Sequence, residues 1–149
     1  MSRAELVQWR HSLLAQRVKP LIYGIGHDIV DIKRMNELVQ GPLGSRFLKR
    51  ILSDKEQVEA SLRTAKAGEY VAGRFAAKEA VSKAFGCGIG HTIGFQDIEI
   101  IPDALGKPIL HLAPEAWARL GMSAALYTIH LSITHERLMA SAFVIVEKL

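Results

Sequence analysis

The chain is poor in the features that mark secreted, metal-stapled or membrane proteins. One cysteine, Cys87, allows no internal disulfide and cannot build a thiolate zinc site by itself, which fits a reducing cytosol. Long apolar runs are absent: the longest near the end, Met139 to Val146, falls well short of the ~20 residues a bilayer span needs. Arg3, Arg10, Arg17 and Lys19 interrupt any secretory h-region at the N-terminus. No His-x-x-x-His pair, Gly-x-Ser-x-Gly elbow or Gly-Lys-Ser/Thr phosphate loop occurs, which argues against zinc hydrolases, serine hydrolases and nucleotide-loop enzymes. Gly24-x-Gly26 lacks the third glycine of a dinucleotide fingerprint, and Gly86-x-Gly88-x-Gly90 follows a helical stretch where that fingerprint needs a strand. Repeats and low-complexity segments are missing too.

What remains is the composition of one soluble globular domain. The 149 residues are 49% hydrophobic and 23% charged, enough for a core without staples. Charge is unevenly placed. Residues 1–50 carry nine Lys/Arg against four acids, a net of +5, whereas residues 51–149 net −1. The N-terminal third is therefore suited to an acidic partner, either nucleic acid or an acidic protein.

Periodicity predicts helices over 4–18, 29–40, the segment after the Ser53-Asp54-Lys55-Glu56 capping box, 66–85, and 114–120. Leu21 to Ile25 reads as a short strand. Strands are also expected at 97–101 and 109–112 around a Pro/Gly turn, and at 128–133 and 139–146 around a hairpin over 134–138. The pattern is α+β, helices first and a mainly antiparallel sheet later.

Two clusters could carry chemistry. Asp28 is expected just past a strand, beside Gly24 and Gly26, which would let the backbone approach a ligand; the alternative is an aspartate capping the following helix. Arg74, Lys78, Glu79 and Lys83 recur along the longest helix among Phe75, Ala76, Ala77 and Ala80. Such a helix should be largely buried, and its three cations and one acid would suit a polyanionic phosphate with a divalent metal. The alternative is a solvated face with a Glu79–Lys83 pair. His135, in the predicted hairpin turn, is either a site residue or merely exposed. Trp9 and Trp117 read as packing residues.

Several segments together resemble the holo-[acyl-carrier-protein] synthase family, small bacterial 4′-phosphopantetheinyl transferases. They are Gly24-Ile25-Gly26-His27-Asp28-Ile29-Val30-Asp31, Arg74-Phe75-Ala76-Ala77-Lys78-Glu79-Ala80 and Ser82-Lys83-Ala84-Phe85-Gly86. Gly88-Ile89-Gly90, Gly106-Lys107-Pro108 and Leu131-Ser132-Ile133-Thr134-His135 continue the match, in the family's order, over residues 22–147. Residues 1–20 precede the family's usual start and are read as an N-terminal extension; residues 21–149 would form the transferase domain.

The resemblance implies transfer of 4′-phosphopantetheine from coenzyme A to a serine of apo-acyl carrier protein, in the cytoplasm, in support of fatty acid biosynthesis. By position it implies Asp28 and Glu79 as Mg²⁺ ligands, with Glu79 and Lys83 catalytic. Arg74, Lys78, Lys83, Pro108 and His135 would line the coenzyme A site. Arg34, Arg46, Phe47 and Arg50 would receive the carrier protein, whose acidity gives the basic third its partner. A homotrimer with sites at protomer boundaries is implied as well, with no nucleic-acid or membrane partner. Nucleic acid is also disfavoured by residues: Lys33 to Arg50 offers a single aromatic, Phe47. His27, Cys87 and Thr134 depart from the family's usual residues without removing a ligand or a charge.

Overall fold

The computed structural model describes residues 2–8 and 21–149. Residues 3–8 are helical, as expected for the start of the 4–18 helix; the remainder of that helix, with Trp9, lies outside the described residues. The described elements run β1 (Ile22–Asp31), α1 (Ile32–Gln40), α2 (Gly44–Ile51), α3 (Asp54–Ser61) and α4 (Ala67–Ala84). Then follow β2 (Ile98–Pro102), β3 (Pro108–Leu112), α5 (Pro114–Leu120), β4 (Tyr127–His135) and β5 (Met139–Lys148). Strands β1, β5 and β4 form one antiparallel sheet in that spatial order, and β2 and β3 form a separate hairpin. No described helix is long and apolar enough to cross a membrane.

Helix α4 is the centre of the molecule because it is small or apolar on almost every side. Ala72, Ala76, Ala77, Ala80 and Val81 are fully buried, as expected for a helix enclosed all round. One side lies on the sheet, against Ala142, Val144 and Val146 of β5. Another meets Ile32 and Met35 of α1, Ile51 of α2 and Leu52 just beyond it. The β2–β3 hairpin and α5 close the far side through Ile98, Ile100 and Trp117, the last edge-on to Phe85 at 5.6 Å.

The first glycines are there for this helix. A Cβ on Gly24 would lie 1.9 Å from the Ala84 carbonyl oxygen, and one on Gly26 would lie 1.8 Å from that of Ala80. Only glycine lets β1 and α4 come so close. The approach foreseen for a ligand is thus taken by a helix.

Strand β1 is longer than its apolar run suggests, because Gly26 to Asp31 continue the ladder with β5 through Asp31↔Met139. The helix expected from residue 29 therefore begins at Ile32. Its cap is Asp31, whose carboxylate accepts from the Arg34 amide at 2.8 Å. Asp28 is not a cap; it sits inside the strand. The Ser53 capping box forms as expected. The sheet also recruits the chain's first strand, so the order "helices first, sheet later" fails at its start. His135 is the last residue of β4 rather than a turn residue.

Candidate functional site

Alternation along β1 puts Gly24, Gly26 and Asp28 on the face that meets α4. The glycines hold the helix close, so the next residue of that face, Asp28, meets the polar side chains of α4. Lys83 donates to Asp28 Oδ1 at 2.7 Å and to the His27 carbonyl at 3.1 Å. The Glu79–Lys83 pair of the alternative, solvated-face reading does not form. Lys83 is 49% exposed, so its ammonium can be recruited without opening the fold.

No hydrogen bond or ion pair among the described residues reaches the Glu79 carboxylate. Partial burial and the nearby Asp28 charge push its carboxyl up, while Lys83 pulls it down. A half-buried carboxylate without a partner among the described residues, beside the second carboxylate of Asp28, is a cation-seeking arrangement. Both open into a cavity of about 430 Å³ lined by Asp28, Glu79, Arg34, Met35, Phe47 and Phe75, among others. The carboxylate pair and two of the predicted carrier-protein contacts, Arg34 and Phe47, thus share one depression. Arg46 and Arg50 are exposed on α2.

A second, larger cavity of about 630 Å³ contains Arg74 and His135, with Arg63, Tyr70, Pro102 and Gly106 in its wall. Arg74 is nearly buried; its Nε donates to the Ile100 carbonyl at 3.2 Å and its guanidinium lies 4.5 Å from the Tyr70 ring centroid. Arg63 covers the same ring at 4.6 Å. The Tyr70 hydroxyl is buried without a partner among the described residues, and burial makes it a weaker acid, pushing its pKa up. His135 lies 3.9 Å from Glu69 at the rim. Pro108 is not in this wall; it pairs with Pro102 across the hairpin, and Pro102 and Gly106 reach the cavity instead.

Lys78 is placed differently from the expectation. Its ammonium is fully buried and donates to Glu56 Oε2 at 2.6 Å, the Ile51 carbonyl at 2.7 Å and the Phe95 carbonyl at 3.1 Å. All three donors are used, so none is left for coenzyme A. Burial pushes the lysine's proton affinity down and Glu56 opposes that shift. The reason lies in the helix: position 78 falls on a face with the buried Val81 and Ser82 and points into the core, where a cation must be fully paired.

The two cavities lie on opposite sides of α4. At about 100° per residue, Arg74 and Glu79 project roughly 140° apart, with Tyr70 and Gly73 beyond Arg74 and Lys83 beyond Glu79. A ligand reaching both cavities of one chain would have to pass around this helix, whose diameter with side chains is about 10–12 Å.

Sequence reasoning missed Tyr70 and Arg63, which carry no motif of their own, and read Glu56 only as a cap. An acid at the third helical position that also faces a buried lysine has no signature in a single sequence.

The profile of the 4′-phosphopantetheinyl transferase superfamily matches residues 24–132. Holo-[acyl-carrier-protein] synthase of Bacillus cytotoxicus is 44% identical over 128 residues, covering 85% of this chain and 97% of the relative. The Bacillus cereus enzyme of the same name is 43% identical over 130 residues, covering 87% and 98%. Among solved structures, the Neisseria meningitidis holo-[acyl-carrier-protein] synthase superposes with a TM-score of 0.74 at 40% identity, covering 86% of this chain and all of that one. The Bacillus anthracis synthase, solved in complex with coenzyme A (3′,5′-ADP), gives 0.72 at 40% identity, covering 87% and 99%. The glycine-spaced strand, the carboxylate pair beneath it and this likeness lead to one conclusion: the chain belongs to the holo-[acyl-carrier-protein] synthase family of 4′-phosphopantetheinyl transferases.

Proposed function

We propose that this chain transfers 4′-phosphopantetheine from coenzyme A to a serine of apo-acyl carrier protein at a site assembled from two copies of the chain. One copy supplies Asp28, Glu79 and Lys83; the other supplies the cavity of Arg74 and His135. The observation that carries this reading is the opposition of the two cavities across α4. A second copy is also favoured by the outer face of the sheet, where Ile25, Ile29 and Phe143 are 44–54% exposed on adjacent strands. An apolar face of that kind is a natural contact between copies, here in a trimer.

Asp28 and Glu79 fit Mg²⁺. Both present hard carboxylate oxygens, and no group of three or more His, Cys, Asp or Glu is gathered among the described residues. A metal there would complete its shell from water and phosphate oxygens, the habit of Mg²⁺ rather than of zinc or calcium. When bound, the ion would supply positive charge to the pyrophosphate oxygens. The chain's own groups do the rest. Lys83, with nearly half its surface free, turns from Asp28 toward the leaving phosphate of adenosine 3′,5′-bisphosphate. Glu79, made more basic by burial and by Asp28, accepts the serine proton directly or through a water. Arg74 and His135 hold the nucleotide end, while Arg34, Arg46, Phe47 and Arg50 receive the acidic carrier protein in the cytoplasm. Pro108 supports the nucleotide cavity through its strand partner Pro102.

The test is the intact mass of an apo-acyl carrier protein incubated with this protein, coenzyme A and Mg²⁺. A gain of one phosphopantetheine is expected, and an unchanged mass at full incubation contradicts the assignment.

A further inference from the structure

The end of helix α2 raises a question that the transfer chemistry leaves unanswered. This helix is only eight residues long and carries Arg46, Phe47 and Arg50. Its last carbonyls have no partner within the helix, as at any C-terminus. Two side chains from other parts of the fold satisfy them. Lys78 of α4 donates to the Ile51 carbonyl. Gln96 donates to the carbonyls of Lys49 at 2.7 Å and Leu52 at 2.8 Å, with a longer bond to Arg50 at 3.3 Å.

Lys78 places a full positive charge at the negative end of the α2 dipole, buried where water does not weaken it. Its partner Glu56 sits at the positive end of α3, where it also accepts from the Ser53 amide at 2.8 Å. The other Glu56 oxygen takes the Ile100 amide of β2 at 2.9 Å. One ion pair thus joins the end of α2, the start of α3, the hairpin and α4. It does so at the residue next to Glu79. The ring of Phe95, whose carbonyl Lys78 also binds, lies 5.4 Å from that of Phe75 in the wall of the carboxylate cavity.

We infer that Lys78, Glu56 and Gln96 are positioning residues for the carrier protein: they fix α2 and its basic side chains at a set distance from Glu79. None of the three needs to touch either substrate. Their effect is to present Arg46, Phe47 and Arg50 already in place, so that docking does not have to order the helix. The inference rests on the reading of α2 as the docking surface.

The experiment is steady-state kinetics with carrier protein and coenzyme A varied separately, alongside a melting curve for each variant. Gln96→Ala removes an exposed side chain and should fold. It should raise KM for carrier protein about fivefold, the worth of one net hydrogen bond, with KM for coenzyme A unchanged. Lys78→Met should act in the same direction and more strongly. Arg46→Glu, which alters the surface itself, should raise the same KM and also flatten its dependence on salt. The positioning variants should keep the wild-type salt dependence, because the surface charges remain.

A folded Gln96→Ala with wild-type KM for carrier protein overturns the inference, whether or not Lys78→Met folds. Equal increases in both KM values overturn it too, since they indicate general loosening. If Arg46→Glu leaves KM for carrier protein unchanged, α2 is not the docking surface and the inference falls with that reading.

Discussion

Helix α4 carries two lysine–carboxylate pairs that differ in every respect except chemistry. Lys78–Glu56 is fully buried at 2.6 Å, whereas Lys83–Asp28 is 2.7 Å long with the lysine half exposed. In the first, every ammonium proton and both carboxylate oxygens have protein partners. In the second, an unpartnered carboxylate, Glu79, stands beside the pair and the lysine is free to turn. A saturated ion pair fixes a fold; an unsaturated one next to a spare carboxylate can bind. Burial follows from the helix face each lysine occupies, five positions apart on nearly opposed sides.

The sharpest way to break this distinction is to remove the unsaturated carboxylates. Asp28→Ala and Glu79→Ala should each lower kcat/KM by at least roughly 10²–10³-fold, with excess Mg²⁺ restoring only part. Near-normal turnover in either variant at ordinary Mg²⁺ would erase the difference between the pairs.

The two lysines should then separate by observable. Lys83→Ala should lower kcat by roughly 10²-fold and change stability by under about 1 kcal/mol, as for an exposed pair. Lys78→Met leaves Glu56 buried without its counter-ion and should cost about 3–5 kcal/mol of stability. Denaturant midpoints and kcat measured on the same preparations check both.

A smaller effect concerns pH. The Glu79 carboxyl is raised in the folded chain, by burial first and by Asp28 second. Between the ordinary glutamate value and the raised one, the folded chain holds a proton that the unfolded chain has released. Stability therefore falls as pH rises through that window. Melting temperatures of metal-free protein between about pH 4 and 8 should show the decline, and Glu79→Gln should flatten it.

The smallest expected change lies in the nucleotide cavity. The Tyr70 hydroxyl is buried and has no partner among the described residues, so Tyr70→Phe should raise stability, by about 1 kcal/mol or more. A lower melting temperature would mean that the hydroxyl is held by a group in the folded protein.

Much of this was legible in the sequence where local physics decides. The Ser53 box, the helix at 114–120 and the alternation of β4 are short-range patterns, and the structure has them in place. The ordered motifs pointed to Asp28, Glu79 and Lys83, and the fold brings these three side chains together. What was hidden depends on long-range packing. The extension of β1 through Asp31 is imposed by its ladder with β5, not by its own composition. Lys78 could not be told from Lys83, because both sit in an alanine-rich helix and the groups that cover one face, Glu56 among them, are set by long-range packing.

The most direct test of the central claim, that each site draws its two halves from two copies, uses two impaired variants. Glu79→Ala lacks the carboxylate half and His135→Ala lacks part of the nucleotide half. Each is assayed alone and then after denaturation and refolding together in equal amounts, with nucleotide below saturation so that the loss of His135 is felt. If the halves come from different copies, random mixing restores one site in four, and activity should approach about a quarter of wild type. Activity no greater than the average of the two variants alone would place the whole site within one chain and contradict the account.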